Sequence, residues 1–233
     1  QKKSNYYENY DEIKRNPEKF FNLKEEQKIN INRSKLKTIK PLTTDQEGSL
    51  PEQLCQFFNK IYPKTNFSRY GVIKNSKSSF FHCCLLASYH LEDISGRDQK
   101  ITELKSYIGN DKGIKINKEL VSQELFNYNL DSINYTLESE NFDSRFFYKL
   151  MEYLFFVNVF VFDYSNGSVN LEKPRHIYYH QREIRESLPN IFIFKHSDVK
   201  PPVYELIKAG DDFLMNDKAG IFMRSYIDEH GYY

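Results

Sequence analysis

Residues 75 to 87 read Asn-Ser-Lys-Ser-Ser-Phe-Phe-His-Cys-Cys-Leu-Leu-Ala, a polar turn set directly against an apolar helix. Phe80, Cys84, Ala87 and Leu91 keep the spacing of one buried stripe, and Phe81, Leu85 and Ser88 widen it. A helix that is apolar on two sides must be covered on two sides. The chain therefore has to fold around a central helix from Ser79 to about Leu91. At 233 residues and 39% hydrophobic content, it can bury the core of one good-sized domain with a peripheral arm.

The remaining organisation follows from changes of rhythm. From Gln1 to about Gly48, charges are dense and apolar residues thin, with short clusters at Phe20-Phe21 and at Ile29 and Ile31; residues 1–48 read as an extended arm or linker. Ser49-Leu50-Pro51-Glu52 has the form of a capping box, and Leu54, Phe57, Phe58 and Ile61 then share a helix face that Pro63 ends. Arg69 to Ile73 reads as an extended lead-in to the Asn75 turn. Helical pieces follow at Ile101 to Ile108, Lys118 to Tyr128 and Asp143 to Val157, the last with Asp143 or Ser144 as its cap.

Beyond that point the pattern becomes β-branched and aromatic. Strands are expected at Asn158 to Asp163, Arg175 to Tyr179, Asn190 to Lys195 and Val203 to Ile207, with a closing helix at about Asp217 to Glu229. Turn residues at Ser165-Asn166-Gly167-Ser168, Leu188-Pro189-Asn190 and Pro201-Pro202 separate them. The expected class is α+β, a helical half packed on a small antiparallel sheet. Its domain occupies 49–210, with a C-terminal helical extension at 211–233.

Two segments carry a resemblance. The turn at Ser76-Lys77-Ser78-Ser79-Phe80-Phe81 and the late Val203-Tyr204-Glu205-Leu206-Ile207 resemble the two anchor segments of ovarian-tumour-type (OTU) deubiquitinases, which share the papain-like plan. In that family an Asp-Gly-x-Cys turn starts the central helix and a His-Tyr pair opens a late strand. Here Ser76 stands at the Asp position, Lys77 at the Gly, Ser79 at the Cys, and Val203-Tyr204 lacks the His. The resemblance covers about Ser49 to Ile207 and implies an OTU-like, papain-like fold whose catalytic positions have all changed. The helix, the Val-Phe-Val-Phe and Ile-Phe-Ile-Phe strands and the Tyr-Glu-Leu-Ile ending are also similar to domains embedded in long proteins of nucleocytoplasmic large DNA viruses. That second likeness implies a virion or viral transcription component. Abundant Lys, Asn, Tyr, Phe and Ile without Trp agree with an AT-rich coding genome.

A papain-like enzyme places its thiolate at the start of the central helix, where free amides and the helix dipole lower the thiol pKa. Ser78 or Ser79 occupies that place, and serine is equally a good helix-start residue that needs no reaction to explain it. Cys83 and Cys84 fall about a turn later, where a cysteine behaves as a small apolar residue. His196, followed by Asp198, is the candidate for a base with an orienting carboxylate. Ser79, Cys83, His196 and Asp198 are thus the catalytic candidates, none with a partner fixed by spacing.

His82, Cys83 and Cys84 lack the gap of a zinc pair, and the spacing of His176 and His180 would suit a metal only on a helix. No Gly-rich phosphate loop or dinucleotide fingerprint occurs, so no cofactor or metal is expected.

The formal net charge of +1 supplies no overall field for nucleic acid or an anionic membrane, and no apolar run suits a bilayer. Lys2-Lys3 and the segment from Arg33 to Lys40 read as solvated surface. Three cysteines, two adjacent, point to a reducing compartment. The start at Gln1 reads as a piece of something longer. These observations lead to the expectation of a catalytically inactive, cytoplasmic scaffold that binds protein partners in a larger assembly, in a viral factory or virion if viral. Two alternatives stand beside it: a divergent cysteine or serine hydrolase acting on ubiquitin-like or polyprotein substrates, and a nucleic-acid-binding module of a viral transcription complex.

Overall fold

The computed structural model describes residues 39–73, 77–111, 113, 138–139, 142–172 and 188–229. In chain order these form β1 (Glu47–Ser49), α1 (Glu52–Ile61), β2 (Phe67–Tyr70), α2 (Ser79–Tyr89), α3 (Ile94–Gly109), α4 (Ser144–Phe155), β3 (Asn158–Ser165), β4 (Ser168–Leu171), β5 (Asn190–His196), β6 (Val203–Ala209), β7 (Leu214–Met215) and α5 (Asp217–Glu229). The chain is α+β.

The strands form one open sheet in the order β1-β2-β6-β5-β3-β4, and β7 pairs with the start of β5. The sheet is mixed, which corrects the expected antiparallel one: β3 and β5 run parallel from Asn158 opposite Asn190 to Tyr164 opposite His196, while the other pairs are antiparallel. The physical reason lies in the sequences Asn-Val-Phe-Val-Phe and Asn-Ile-Phe-Ile-Phe. Neither strand has a solvent-facing residue set, the mark of strands covered on both faces.

Alternation along those strands sorts the core. Phe160, Phe162, Phe192 and Phe194 point to one face, where α1 and α5 pack through Leu54, Phe57, Phe58, Phe222 and Met223. Val159, Val161, Ile191 and Ile193 point to the other, against α2, α3 and α4. Helices therefore cover both faces of the sheet. Helix α1 has only ten residues and would be marginal alone. Its four buried apolar side chains, at about 1.5–3 kcal/mol each, decide that it forms. Helix α2 is buried at every position from Ser79 to Ala87, as its two-sided sequence requires.

Several local expectations are corrected. Ser49 does not cap α1: it lies in β1, Pro51 precedes the helix without a side-chain cap bond, and the Ser49 carbonyl instead accepts from Arg69 Nε at 2.9 Å. Helix α3 begins seven residues before the expected Ile101, because Asp93 caps it by accepting the Gly96 amide at 2.8 Å. The polar stretch after Asp93 concealed that start, since its buried member is the long side chain of Arg97. Short strands β1, β4 and β7 carry too few residues to show a period. The expected strand at Arg175 to Tyr179 and helix at Lys118 to Tyr128 lie outside the described residues, as do residues 1–38 of the arm.

Residues 39–46 lie on the sheet beside β2. Asp45 N–H donates to the Gly71 carbonyl at 2.8 Å, and Gly71 N–H to that of Gln46 at 2.9 Å. The approach is close enough to require glycine: a Cβ on Gly71 would stand 2.0 Å from the Thr43 carbonyl oxygen.

Candidate functional site

The two segments that carry the resemblance meet in space. Ser79, the first residue of α2, is fully buried, and its Oγ accepts the backbone N–H of Tyr204, the second residue of β6, at 3.1 Å. Ser78 precedes the helix without a side-chain cap bond. Ser79 thus ties the helix start to the late strand.

Tyr204 extends this junction on its own face of the sheet. Its hydroxyl accepts the Ser144 amide at 3.0 Å and lies 3.2 Å from Ser144 Oγ at the start of α4. Ser144 Oγ also bonds the Glu172 carboxylate. Glu172 takes the Lys195 ammonium at 2.5 Å, and Lys195 lies 3.5 Å from Asp143, which is paired with Arg145. Two cations and two carboxylates are thereby balanced beneath the helix start. Burial pushes the Glu172 carboxyl above its ordinary range against the pull of Lys195 and Ser144. Burial also raises Asp143, but the Arg145 hydrogen bonds and the Lys195 charge outweigh it and leave that carboxyl lowered. The Tyr204 phenol is driven well up by burial, with the Asp143 and Glu172 charges adding to it.

Glu205, one residue on, faces the other way. It is fully buried and accepts Arg69 Nη1 at 2.7 Å and the Leu42 amide at 2.6 Å. His196 Nε2 stands 3.0 Å from Glu205 Oε1 and 3.2 Å from Arg69 Nη1. The guanidinium also lies over the Phe194 ring, 5.2 Å from its centre, and donates to the Lys40 carbonyl. The ion pair holds residues 39–43 on the sheet.

The four catalytic candidates are thereby located. Ser79 is a buried acceptor at the helix start. Cys83 is buried in α2, and burial first, then Cys84 and Glu205, pushes its thiol well above the ordinary range; Cys84 is raised likewise by burial. His196 meets Glu205 and Arg69. Asp198 takes the Asn166 amide at 3.1 and 3.2 Å instead. The fold thus separates the histidine from the aspartate that follows it.

His82 points between α2 and α3. Its Nε2 lies 3.4 Å from Asp98 Oδ1, but in poor geometry, so that neither ring nitrogen has a hydrogen bond. Burial and the neighbouring Arg97 lower its pKa to about 4, with Asp98 opposing and Lys105 adding to the fall. Among the described residues, no group of three or more His, Cys, Asp or Glu is gathered to hold a metal ion. His176 and His180 lie outside them.

Arg69, Ser144, Glu172, Lys195 and Glu205 escaped the sequence reading as site residues. A signal did exist for two of them: Lys195 and Glu205 each interrupt a run of otherwise apolar strand residues, and a charge in a strand buried on both faces demands a partner. Compared with known proteins, the chain matches no family model, no curated protein and no solved structure. No helix among the described residues is long and apolar enough to cross a membrane.

Proposed function

We propose that this chain is a catalytically inactive domain on an OTU-like, papain-like plan, kept as a protein-interaction scaffold in a larger assembly, of the virion or viral-factory kind that its second likeness implies. The observation that carries the reading is the bond from the Tyr204 amide to Ser79 Oγ. The position that holds a nucleophile in the family here holds two structural elements together. A serine nucleophile needs a base within hydrogen-bond reach, whereas Ser79 is buried and engaged as an acceptor. The buried cysteines support the same reading, because a raised thiol pKa opposes formation of the attacking thiolate.

The reading is tested with ubiquitin-propargyl and fluorophosphonate probes on the whole chain, and by cross-linking mass spectrometry on the native assembly. No covalent capture is expected, together with cross-links from fixed lysines to another polypeptide. Capture that is abolished by Ser79→Ala or Cys83→Ala overturns the reading in favour of a hydrolase. Affinity for nucleic acid that falls steeply with salt would instead favour the transcription-module alternative.

A further inference from the structure

Residues 39–43 lie on the sheet but belong to no strand. Two buried charges hold them by their main chain instead. Arg69 Nη1 donates to the Lys40 carbonyl at 3.3 Å, and Glu205 Oε1 accepts the Leu42 amide at 2.6 Å. The bonded groups flank Pro41, which has no N–H to satisfy and stands exposed with Lys40. An extended chain turns the main-chain groups of residues i and i+2 to one side. A donor and an acceptor set side by side match that spacing and ask for no particular side chain.

The sheet is also cut away beneath this segment. A Cβ on Gly71 would stand 2.9 Å from Leu42 Cβ as well as against the Thr43 carbonyl, and one on Gly48 would meet Leu42 Cδ2 at 2.9 Å and Arg69 Nη2 at 3.0 Å. The two glycines leave a trough that takes a leucine from the segment. Leu42 is half-buried there, and Ile39 packs at the edge of the core.

Lifting the segment strands no charge. Glu205 keeps Arg69 Nη1 at 2.7 Å and His196 Nε2 at 3.0 Å, while Arg69 keeps the Ser49 carbonyl at 2.9 Å and the face of Phe194. What is given up is a pair of hydrogen bonds and the partial burial of Ile39 and Leu42, the scale of a local opening rather than of global unfolding. The emptied trough stays arranged for an extended chain, and a preformed site loses little to ordering when it binds.

We propose that the trough formed by Arg69, Glu205, Gly48 and Gly71 is a peptide-binding site, which residues 39–43 occupy in cis and which an extended Pro-Leu segment of a protein partner takes by displacing them. The proposal rests on the scaffold reading and gives the partner a chemistry. That chemistry is set by what is seated in the trough: a carbonyl and an amide for the two charges, a proline between them that presets the backbone, and a leucine over Gly48.

The test uses the whole chain and a fluorescent peptide with the sequence of residues 39–46, followed by anisotropy. In the parent chain the tethered segment competes at an effective concentration of about millimolar. Leu42→Pro removes the cis amide and the leucine, so the peptide should bind that variant at least about tenfold more tightly than the parent. Methylating the leucine amide of the peptide removes the donor to Glu205 and should weaken binding by about tenfold. Equal affinity for parent and variant, equal affinity for the two peptides, or a variant dimer closed to the peptide overturns the proposal, the last by making a second copy the occupant. Should Leu42→Pro fail to fold, Leu42→Ala takes its place with the same order of affinities expected. Hydrogen exchange on the unaltered chain adds a second measure: the Leu42 amide should exchange by local opening while the amides of β5 stay protected. Exchange of Leu42 only on global unfolding overturns the displacement. An inert peptide alongside cross-links elsewhere on the chain removes this site and leaves the scaffold reading standing. Covalent probe capture that is lost in Ser79→Ala removes the scaffold reading whatever the peptide does.

Discussion

Tyr204 and Glu205 are neighbours on β6, yet they stabilise the molecule in different ways. Tyr204 faces α2 and α4 and works through hydroxyl and amide bonds, tying together Ser79, Ser144 and, through Ser144, Glu172. Glu205 faces the opposite side and works through a buried ion pair with Arg69, which fixes residues 39–43. Loss of a neutral hydrogen bond costs the desolvation of one polar group, whereas loss of a buried ion-pair partner strands a whole charge. The two faces of one strand should therefore answer mutation with different magnitudes.

The largest effect is expected on the Glu205 side. Arg69→Ala leaves a carboxylate at 0% exposure without its cation and should destabilise the fold by about 3–5 kcal/mol in denaturant unfolding. Arg69→Met combined with Glu205→Leu should cost less than Arg69→Ala alone, because no charge is then left buried. A loss under about 1 kcal/mol for Arg69→Ala would mean that the pair is screened by solvent and would erase the contrast between the faces.

A pH measurement addresses the helix face through His82. Its pKa in the fold is lowered to about 4 by burial and then by Arg97, against about 6.5 in the unfolded chain. Between those values the unfolded chain binds more protons, so stability is present above about pH 6.5 and is lost as pH falls towards 4. The total is about 3 kcal/mol. Glu172, with its carboxyl raised by burial, contributes a slope of opposite sign, so the diagnostic quantity is a difference. His82→Leu should flatten the fall of stability between pH 6.5 and 4 relative to the parent chain. An unchanged slope would show that the imidazole is solvated or paired in acid.

Next in size is Tyr204→Phe, which keeps the ring and removes the hydroxyl. It leaves the buried Ser144 amide without its acceptor and should cost about 1–3 kcal/mol. Thermal unfolding of this variant beside Arg69→Ala measures the two faces directly. A cost equal to that of Arg69→Ala would imply that the Ser144, Glu172 and Lys195 network collapses as a unit rather than losing one bond.

The two faces also differ in how far they could be read from the sequence. Elements with long periods were legible: α2 from its unbroken apolar rhythm, α4 from Phe147, Leu150 and Met151, β3 and β5 from alternating Val or Ile and Phe. The direction of β5 relative to β3 was not, since alternation fixes which face a residue meets but says nothing of which neighbour a strand takes. The cap of α1 misled for a similar reason: the Ser-Leu-Pro-Glu pattern is local, and Arg69, 20 residues away, claimed the Ser49 carbonyl. At the site, Ser79 was visible because it stands at the boundary of a polar turn and an apolar helix. Arg69 and Glu172 were not, and Lys195, a charge inside an apolar strand, announced a partner without saying which, because the partners lie 136 and 23 residues away and no spacing rule joins them. The pairing of His196 with Asp198 rested on adjacency, and the hairpin turn at Asn166 took the aspartate instead.

The smallest of these effects bears most on function. Ser79→Ala removes an acceptor from the Tyr204 amide while leaving the packing of α2 nearly unchanged, and should cost about 1–2 kcal/mol. Ser79→Cys is the sharper companion. A thiol at that position would lie at the start of an 11-residue helix, where the amides favour thiolate, but also at a site with 0% exposure, where desolvation opposes it. The Tyr204 face argues that desolvation wins, because the strand and both helix starts close over the position. Alkylation by iodoacetamide at pH 6 should therefore be slow in the folded Ser79→Cys variant and fast only on unfolding. Rapid alkylation of the folded variant at that pH would reveal a reachable, activating environment. The Tyr204 side of β6 would then be the remnant of a working centre rather than a structural joint.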